Sequence, residues 1–453
     1  MKHNWLKSIF LFLVPVLLLP SCLGSDNEVV EPSDKAYFVG LTFAKNDSAP
    51  NIEKAKFSVV YDPSYINGLD SVIVNLDSLP YRSRIDSVSP IFRFASVSQA
   101  YLIYKNIAGE DSLRLLTGKD TLDFSLPLRV QNTSSDETTT LKYGIKVNVH
   151  QVQPELYVWQ EVKSKINENS ASNQHAFLFD GIIYYYLSTG VNNYLYTAPI
   201  NDYANWTNHS LSLTGLPVAS VELRHLQVFN DKFYLFSDEN KIYSSSDGKA
   251  WNGVVFPDAN YMTTELLFVF MDKLWAIVRN VNTQKYHIAR TSNAADWEIG
   301  DEIPQNFPIE QYATLSFKTR LNVPTAIVVG GKTQTSANSY VWGTSDGLNW
   351  IDFSTGKDYP SITGASIIPY DGKLLMFQGA GDMHLTQSVN EGFSWSMPDT
   401  TYNKLPETYV RRSFQSVFVN ETDKRIFIIG GKDDIRVLSD VWTGKLNRLN
   451  WEK

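Results

Sequence analysis

Short runs of alternating apolar and polar residues follow one another from about residue 36 onward. In the clearest run, every second residue between Leu141 and Val149 is apolar, which is the period of a half-buried β-strand. Further strands are predicted at 37–44, 55–61, 71–76, 91–97, 100–105 and 113–124. About seven such strands joined by polar turns predict a β-sandwich of immunoglobulin type over residues 36–152.

From about residue 154 the pattern changes, and a polar turn followed by an apolar strand recurs six times. The turns are Asp180-Gly181, Asp231-Lys232, Asp272-Lys273, Asn322-Val323, Asp371-Gly372 and Asp423-Lys424. Each copy ends on a tryptophan: Trp206, Trp251, Trp297, Trp350, Trp395 and Trp451. The spacing is close to the ~40 to 50 residues of a four-stranded propeller blade. The chain is therefore predicted to be all-β, with a six-bladed β-propeller over residues 153–453; two successive sandwiches would not require turn and tryptophan to recur in step.

A propeller also needs a strand from one end of the domain to complete the blade at the other, because open sheet edges promote aggregation. Residues 156–162, which carry Trp159, precede the first full repeat. We expect this segment to pair with the last blade near residues 441–451.

The N-terminus has the organisation of a secretory signal. Basic residues precede an apolar run from Ile9 to Leu19, which is shorter than the ~20 residues of a spanning helix. The run ends in Leu19-Pro20-Ser21-Cys22, which resembles the bacterial lipobox. Residues 1–21 are therefore predicted to be a lipoprotein signal peptide, Cys22 the lipidated residue, and residues 22–35 a polar tether.

Cys22 is the single cysteine of the chain, so it cannot form an internal disulfide. Lipidation accounts for it, and the alternative is ordinary secretory cleavage with Cys22 incidental. The acidic run 23–28 resembles the signal that sends Bacteroidota lipoproteins to the cell exterior. We expect a lipid anchor in the bacterial outer membrane, with the protein on the cell surface.

Composition excludes several classes of function. The formal net charge is −8, the wrong sign for a protein that neutralises nucleic-acid phosphates. The histidines are scattered without the spacing of a metal site, and no phosphate loop or nucleophile elbow is present. We therefore expect no nucleic-acid partner, no metal and no cofactor.

Several segments resemble known families. Residues 75–81 and 142–150 resemble the N-terminal domain of uncharacterised Bacteroidota lipoproteins, which pair an Ig-like module with a propeller. The paired glycines at 330–331 and 430–431, each followed by Val-Trp, resemble kelch repeats. Ser388 to Trp395 resembles the Asp-box, with shorter versions at 245–251 and 344–350.

These motifs imply a scaffold. In the Asp-box turns, Asp or Asn bonds the backbone of its own turn, glycine takes a positive φ, and the tryptophan packs between sheets. Sialidases also contain Asp-boxes, but the Arg-Ile-Pro motif that usually carries their first catalytic arginine is absent here.

Two predicted inner strands share a polar pattern, since Leu223–Phe229 and Arg411–Val417 align arginine with arginine and glutamine with glutamine. The predicted ligand-binding residues of the channel are His175, Arg224, His225, Gln227, Arg412 and Gln415. If they face the channel, they form a basic patch suited to a carboxylated or otherwise anionic ligand. Alternatively, the positions recur because the blades pack alike.

The sequence favours a non-catalytic lipoprotein whose propeller binds a glycan, a peptide or a protein, with the sandwich as a spacer. No catalytic residue is assigned. The alternative is a carbohydrate-active propeller enzyme, a glycoside hydrolase or a lyase, since paired carboxylates for such chemistry are recognised by their separation in space. A third possibility is a scaffolding role in an envelope assembly.

Overall fold

The structure is a computed structural model that describes residues 31–46, 49, 51–60, 71–169, 171–218, 221–353, 362–378, 385–397 and 401–449. The predicted signal peptide, Cys22 and Trp451 lie outside these residues. Within them, no helix is both long enough and apolar enough to cross a membrane. The chain divides into two compact units, Met1–Gln151 and Val152–Lys453.

The first unit contains eight strands in its described part. They are β1 (Tyr37–Phe43), β2 (Phe57–Val60), β3 (Ser71–Asn75), β4 (Pro90–Ala95), β5 (Val97–Lys105), β6 (Asp111–Leu115), β7 (Leu128–Ser134) and β8 (Thr140–Lys146), with one short 3-10 helix, Ile52–Lys54. Strands β1 and β4 form a two-stranded sheet, and the order β2-β3-β8-β7-β5-β6 forms the second sheet. All pairs are antiparallel except β3 with β8.

One apolar core serves both sheets of this unit. The ring of Phe38 packs edge-on against Phe94 at 5.2 Å, and Phe43 packs edge-on against Phe57 and Phe124 at 5.3 and 5.2 Å. Aromatic pairs with this geometry contribute beyond the area that they bury. The immunoglobulin-type topology stays a prediction.

The structure corrects one predicted strand and adds one strand that the sequence analysis missed. The strand expected over 113–124 ends at Leu115, because a turn follows it. In this turn Asp120 accepts a hydrogen bond from the backbone N–H of Thr117, and Gly118 has a φ of 75°. Strand β7 was not predicted, since its sequence is rich in polar residues. One of these, Asn132, is fully buried and donates to the carbonyl of Ala36.

The second unit contains 23 further strands in its described part, numbered on from β9. They are β9 (Tyr157–Lys163), β10 (Asn173–Phe179), β11 (Ile182–Ser188), β12 (Asn193–Pro199), β13 (Thr207–Asn208), β14 (Gln227–Phe229), β15 (Lys232–Ser237), β16 (Lys241–Ser245), β17 (Asn252–Val255), β18 (Tyr261–Phe270), β19 (Lys273–Asn280), β20 (Tyr286–Thr291), β21 (Glu298–Glu302), β22 (Ala313–Lys318), β23 (Pro324–Val329), β24 (Val341–Thr344), β25 (Ile351–Asp352), β26 (Ser366–Tyr370), β27 (Lys373–Phe377), β28 (Thr386–Ser388), β29 (Ser416–Asn420), β30 (Arg425–Lys432) and β31 (Val437–Leu446). The 3-10 helices are Ser210–Ser212, Leu223–His225 and Asn447–Leu449.

These strands form antiparallel sheets, of which the described residues contain six. We number them sheet 1 (β10–β13), sheet 2 (β14–β17), sheet 3 (β18–β21), sheet 4 (β22–β25), sheet 5 (β26–β28) and sheet 6 (β29–β31 with β9). The first strands of neighbouring sheets contact one another, and β10 contacts both β29 and the helix that precedes β14. The contacts therefore run in a closed ring, which is the arrangement of a β-propeller.

The predicted closure of the ring is confirmed. Strand β9, from the start of the unit, pairs antiparallel with β31 at its end, and Trp159 stands opposite Gly444. A β-carbon at Gly444 would lie 2.1 Å from the indole of Trp159, so only glycine fits beneath this ring. The last sheet is thus built from both ends of the unit.

Within the described residues, tryptophans of the repeat pack between neighbouring sheets, as the repeat predicts for Trp251 and Trp350. Trp251 of sheet 2 meets Tyr186 of sheet 1 edge-on at 6.0 Å, and Trp350 contacts Phe268 of sheet 3 at 6.1 Å. In the turn before Trp251, the carboxylate of Asp247 accepts hydrogen bonds from the backbone N–H groups of Lys249 and Ala250. A turn of this kind therefore positions its tryptophan against the neighbouring sheet.

Glycine in these turns is required by the neighbouring sheet as well as by backbone conformation. Gly347 has a φ of 79°, and a β-carbon there would lie 2.3 Å from the buried indole of Trp275 in sheet 3.

A further turn of this kind, at Thr291–Trp297, was not recognised from the sequence. Its position of positive φ is occupied by Ala294, at 60°, while Asn293 caps the turn.

We expect Trp251→Ala to lower the free energy of unfolding by about 3 to 5 kcal/mol, because the indole is buried between two sheets and its removal leaves a cavity. Chemical denaturation of both proteins measures the difference. Leu211→Ala, at a fully exposed side chain, is the control and is expected to change stability by less than about 0.5 kcal/mol. Equal effects of the two substitutions would contradict the packing role.

Candidate functional site

The first strands of all six sheets converge on one open cavity of about 470 Å³, which we call the central cavity. Each sheet contributes to its wall, for example through His175, Gln227, Leu267, Thr314, Ser366 and Val417. Its volume is within the roughly 300 to 1,000 Å³ of small-molecule sites. The central cavity is therefore the candidate functional site.

The structure brings five of the six residues predicted for the channel to this cavity. They are His175, Arg224, His225, Gln227 and Gln415. Each of the two glutamine amides donates to a backbone carbonyl of an adjacent sheet, Gln227 to Leu267 at 3.5 Å and Gln415 to Phe377 at 3.2 Å. The two bonds run in opposite directions around the ring, since Leu267 belongs to the following sheet and Phe377 to the preceding one. Ligand binding by these residues stays a prediction.

Arg412 is the exception. It is not among the described residues that line the cavity, and its side chain is 1% exposed. Its guanidinium forms a bidentate ion pair with Asp440, donates to the carbonyls of Gly430 and Val410, and stacks on the ring of Tyr409 at 4.2 Å. The predicted equivalence of Arg412 with Arg224 is wrong, because the carboxylate of Asp440 draws Arg412 into the interior of its own sheet.

Arg224 lies at the cavity wall and is held on two sides. Its Nε and Nη2 atoms donate to the two carboxylate oxygens of Glu222, each at 3.0 Å. Its guanidinium carbon lies 4.3 Å from the ring centre of Phe414, which belongs to sheet 6. Burial alone would raise the pKa of Glu222, but the hydrogen bonds from Arg224 hold it below its ordinary value. Glu222 therefore stays ionised and cancels the charge of Arg224.

Burial keeps the cavity histidines neutral. It lowers the pKa of His175 to about 3 and that of His225 to about 4. His175 Nδ1 lies 3.4 Å from the hydroxyl of Ser416. The basic patch expected from the sequence is therefore wrong, since the histidines carry no charge near neutral pH and Arg224 is compensated by Glu222.

A buried acid beside His225 was missed by the sequence analysis. Glu265 Oε2 lies 3.3 Å from His225 Nε2, and the ring of Tyr312 meets His225 edge-on at 5.4 Å. Burial raises the pKa of Glu265 to about 8, so its carboxyl is protonated at neutral pH. A lone glutamate inside an apolar strand was the available signal. Irregular pairing of β18 with β19, on both sides of Glu265, turns its side chain toward His225.

The tautomer of His225 follows from its neighbours. Nδ1 lies 3.2 Å from the carbonyl oxygen of Leu266, which only accepts, so Nδ1 carries the proton. Nε2 is then an acceptor that faces the protonated carboxyl of Glu265. With His225 neutral and Glu265 protonated, the pair has no net charge.

Hydroxyl groups surround the cavity and join neighbouring sheets. Thr314 donates to the carbonyl of Leu267 at 3.1 Å, and Ser316 donates to that of Val269 at 3.0 Å. On the opposite side, Ser416 accepts from the backbone N–H of Ala176 at 2.8 Å. The inner edge of each first strand has no strand partner, so side chains of the next sheet satisfy its backbone groups. The hydroxyls that donate keep lone pairs for a ligand.

Among the described residues, no group of three or more His, Cys, Asp or Glu side chains is arranged to hold a metal ion.

Glu265 is expected to make stability fall at alkaline pH. Its pKa rises from an ordinary value of 4.5 to about 8, so the folded state binds more protons than the unfolded state between these values, and stability falls as pH rises. His225 has the opposite effect up to its ordinary value of 6.5. Above pH 6.5 only the loss from Glu265 remains, and we expect it to reach about 2 kcal/mol by pH 8.

Glu265→Gln removes this titration, so the free energy of unfolding of the variant should change less between pH 6.5 and pH 8 than that of wild type. Denaturation at a series of pH values measures the difference. Glu239→Gln, at an exposed residue paired with Lys241, should leave the fall unchanged. Identical pH profiles for wild type and Glu265→Gln would show that this carboxyl does not titrate differently in the folded state.

Comparison with solved structures finds many chains of similar fold. The chain is similar to a Trypanosoma rangeli sialidase, with 11% identity and a TM-score of 0.43, over 65% of this chain and 60% of that one. It therefore spans 60% of the length of that sialidase. It is also similar to a DUF4623 family protein from Bacteroides eggerthii, with 8% identity and a TM-score of 0.42, over 90% and 98% of the two chains. An oligogalacturonate lyase from Vibrio parahaemolyticus matches with 8% identity and a TM-score of 0.37, over 64% and 97%.

A search of curated proteins found no match. Two family models match the chain, and they correspond to the two units. Residues 39–147 match the N-terminal domain of DUF6242, described as a domain of unknown function, and residues 153–453 match the DUF6242 beta propeller domain. The prediction of a two-domain chain that ends in a propeller is confirmed, and the chain belongs to the DUF6242 family.

Proposed function

We propose that this protein is a lipid-anchored protein of the bacterial cell envelope whose six-bladed propeller binds a glycan, a peptide or a protein partner in the central cavity, without catalysis. One observation carries the proposal. A single open cavity receives side chains from the first strands of all six sheets, and its wall combines hydroxyl, amide and imidazole groups with apolar surface. Concave sites of this composition are where proteins bind small ligands.

The state of the polar groups supports binding over catalysis. Arg224 is occupied by Glu222, and His225 is engaged by Leu266 and Glu265. A general acid or base needs a proton-exchanging atom within reach of the substrate. The facing atoms of His225 and Glu265 are covered by protein, so neither atom is presented to the cavity.

The remainder of the proposal concerns location. The lipobox-like segment that ends at Cys22 supports a lipid anchor, and the acidic run after it supports export to the surface of the outer membrane. In this proposal the N-terminal unit is an Ig-like spacer between the anchor and the propeller. The kelch-like glycine pairs and Asp-box-like turns belong to the scaffold.

The second candidate function is a carbohydrate-active enzyme, a glycoside hydrolase or a lyase. The observation in its favour is that His225 and Tyr312 line the cavity and Glu265 lies beside His225, since titratable groups with strongly shifted pKa values concentrate at active sites. Product formation from a polysaccharide, lost in Glu265→Gln, would favour the enzyme over the binding protein.

The anchor is tested by Cys22→Ala, expressed in a bacterium that processes lipoproteins. Labelling with a radioactive fatty acid should be lost and the protein should move from the membrane fraction to the soluble fraction, because the thioether-linked lipid is the attachment. Ser25→Ala, in the neighbouring tether, should keep both properties. Unchanged labelling of Cys22→Ala would refute lipidation at this residue.

Binding is tested with the full chain on an array of neutral and acidic oligosaccharides and a library of synthetic peptides. We expect wild type to retain members of one class, and Ser316→Trp, which places an indole in the cavity, to lose about tenfold or more in affinity. Val254→Trp, at an exposed position on β17, is the matched control. Equal binding by both variants, or chromatographic evidence of turnover, would contradict the proposal.

A further inference from the structure

The charged groups of the central cavity cancel one another. Arg224 is matched by Glu222, whose two oxygens each accept one of its hydrogen bonds at 3.0 Å. The histidines are neutral because burial lowers the pKa of both, and Glu265 is protonated because burial raises its pKa to about 8. A ligand that enters the cavity near neutral pH therefore meets polar groups without a net charge.

Arg224 is also fixed in place, which limits what it recognises. Its guanidinium stacks on Phe414, whose backbone has a φ of 60°, a rare conformation for an aromatic residue. The N–H of Phe414 donates to the carbonyl of Gly364 at 2.7 Å, and a β-carbon at Gly364 would lie 2.6 Å from the ring. Phe414 thus keeps its strained backbone because Gly364 leaves room for its ring.

The stacking and the ion pair together leave Arg224 little freedom to turn toward a carboxylate. Recognition of an anion by arginine usually requires the paired N–H groups of one edge, and Glu222 already accepts from Nε and Nη2. Glu222 does not use the N–H groups of Nη1 or the second N–H of Nη2. These N–H groups can donate to a hydroxyl or ether oxygen, whereas a carboxylate ligand would have to share Arg224 with the carboxylate of Glu222.

The remaining lining offers hydroxyl acceptors next to apolar surface. Thr314 and Ser316 direct their hydroxyl hydrogens to backbone carbonyls, so their oxygens face a ligand as acceptors. Half-buried phenylalanine side chains, Phe177 and Phe418, lie in the same wall. Hydroxyl acceptors beside apolar faces match a molecule that carries hydroxyl groups on its edge and C–H groups on its faces.

We propose that the central cavity binds an uncharged, hydroxyl-rich ligand, a neutral saccharide end or short segment, and disfavours uronate-containing or otherwise anionic glycans. This inference rests on the proposed function, because it names the class of ligand for the same cavity. It reverses the anionic ligand expected from the sequence.

The test measures affinity of the full chain for short neutral oligosaccharides and for uronate-containing oligosaccharides of equal length, by calorimetry at low and high salt. Neutral members should bind, with affinity that changes less than about twofold when sodium chloride is raised from about 0.05 to about 0.5 M, because no charge is neutralised. Uronate-containing members should bind about tenfold more weakly or not at all.

Glu222→Gln provides the decisive variant, since it leaves the charge of Arg224 uncompensated. We expect it to gain affinity for the uronate-containing oligosaccharides, about tenfold at low salt, and to lose that gain at high salt. Glu239→Gln removes an equal charge from an exposed pair outside the cavity and should change neither affinity. If Glu222→Gln does not fold, the salt dependence of wild type remains the deciding measurement.

The outcomes separate this inference from the proposed function. Salt-insensitive binding of neutral members that Ser316→Trp abolishes supports both. Salt-sensitive, preferential binding of uronate-containing members, or binding of peptides alone, with loss in Ser316→Trp, overturns the neutral-saccharide inference and leaves the binding function standing. Absence of binding by every probe, or binding that Ser316→Trp does not affect, overturns both.

Discussion

The second unit depends on how the unpaired edges of its first strands are satisfied. Each sheet presents its first strand to the axis, where no further strand can pair with it, and an unpaired buried backbone group is costly. Thr314 and Ser316 of sheet 4 bond the carbonyls of sheet 3, and Ser416 of sheet 6 bonds the N–H of Ala176 in sheet 1. The same hydroxyls therefore join the sheets and give the cavity its polar wall. A change at this wall affects the scaffold and the candidate site together.

The same constraint explains why ionisable groups in the cavity are neutral or paired. A charge taken from water into such a wall must meet a partner or lose its ionisation. The charge of Arg224 is balanced by Glu222, which is two residues away on the same segment, whereas His225 and Glu265 lie side by side and are both uncharged. The polarity of the site is thus that of an uncharged surface, although its residue types suggest a basic one. This distinction supports a saccharide ligand over an anionic one.

Much of the fold could be predicted because its repeats are local. The turn that contains Asp247, the glycine after it and Trp251 lie within one short segment, and versions of that segment recur at 344–350 and 388–395. The closing strand was predictable for the same reason, since Trp159 stands outside the six copies. Strand β7 was not, because its buried Asn132 finds a partner only through a distant backbone carbonyl. A pattern of apolar residues cannot show that a polar side chain will be satisfied in the interior.

For the site, local sequence was enough to identify which segments reach the axis, and five of the residues selected from it line the cavity. The burial, partners and charge state of those residues follow from the folded arrangement alone. Arg224 and Arg412 each stand three residues before an aligned glutamine, yet one lies at the cavity and the other is buried on Asp440, which is 28 residues further along the chain. The neutral state of His225 likewise follows from its burial in the folded protein, and its neighbour Glu265 comes from another sheet. Periodicity follows from the local chain, whereas charge state follows from which groups the fold brings together and from how much water it removes around them.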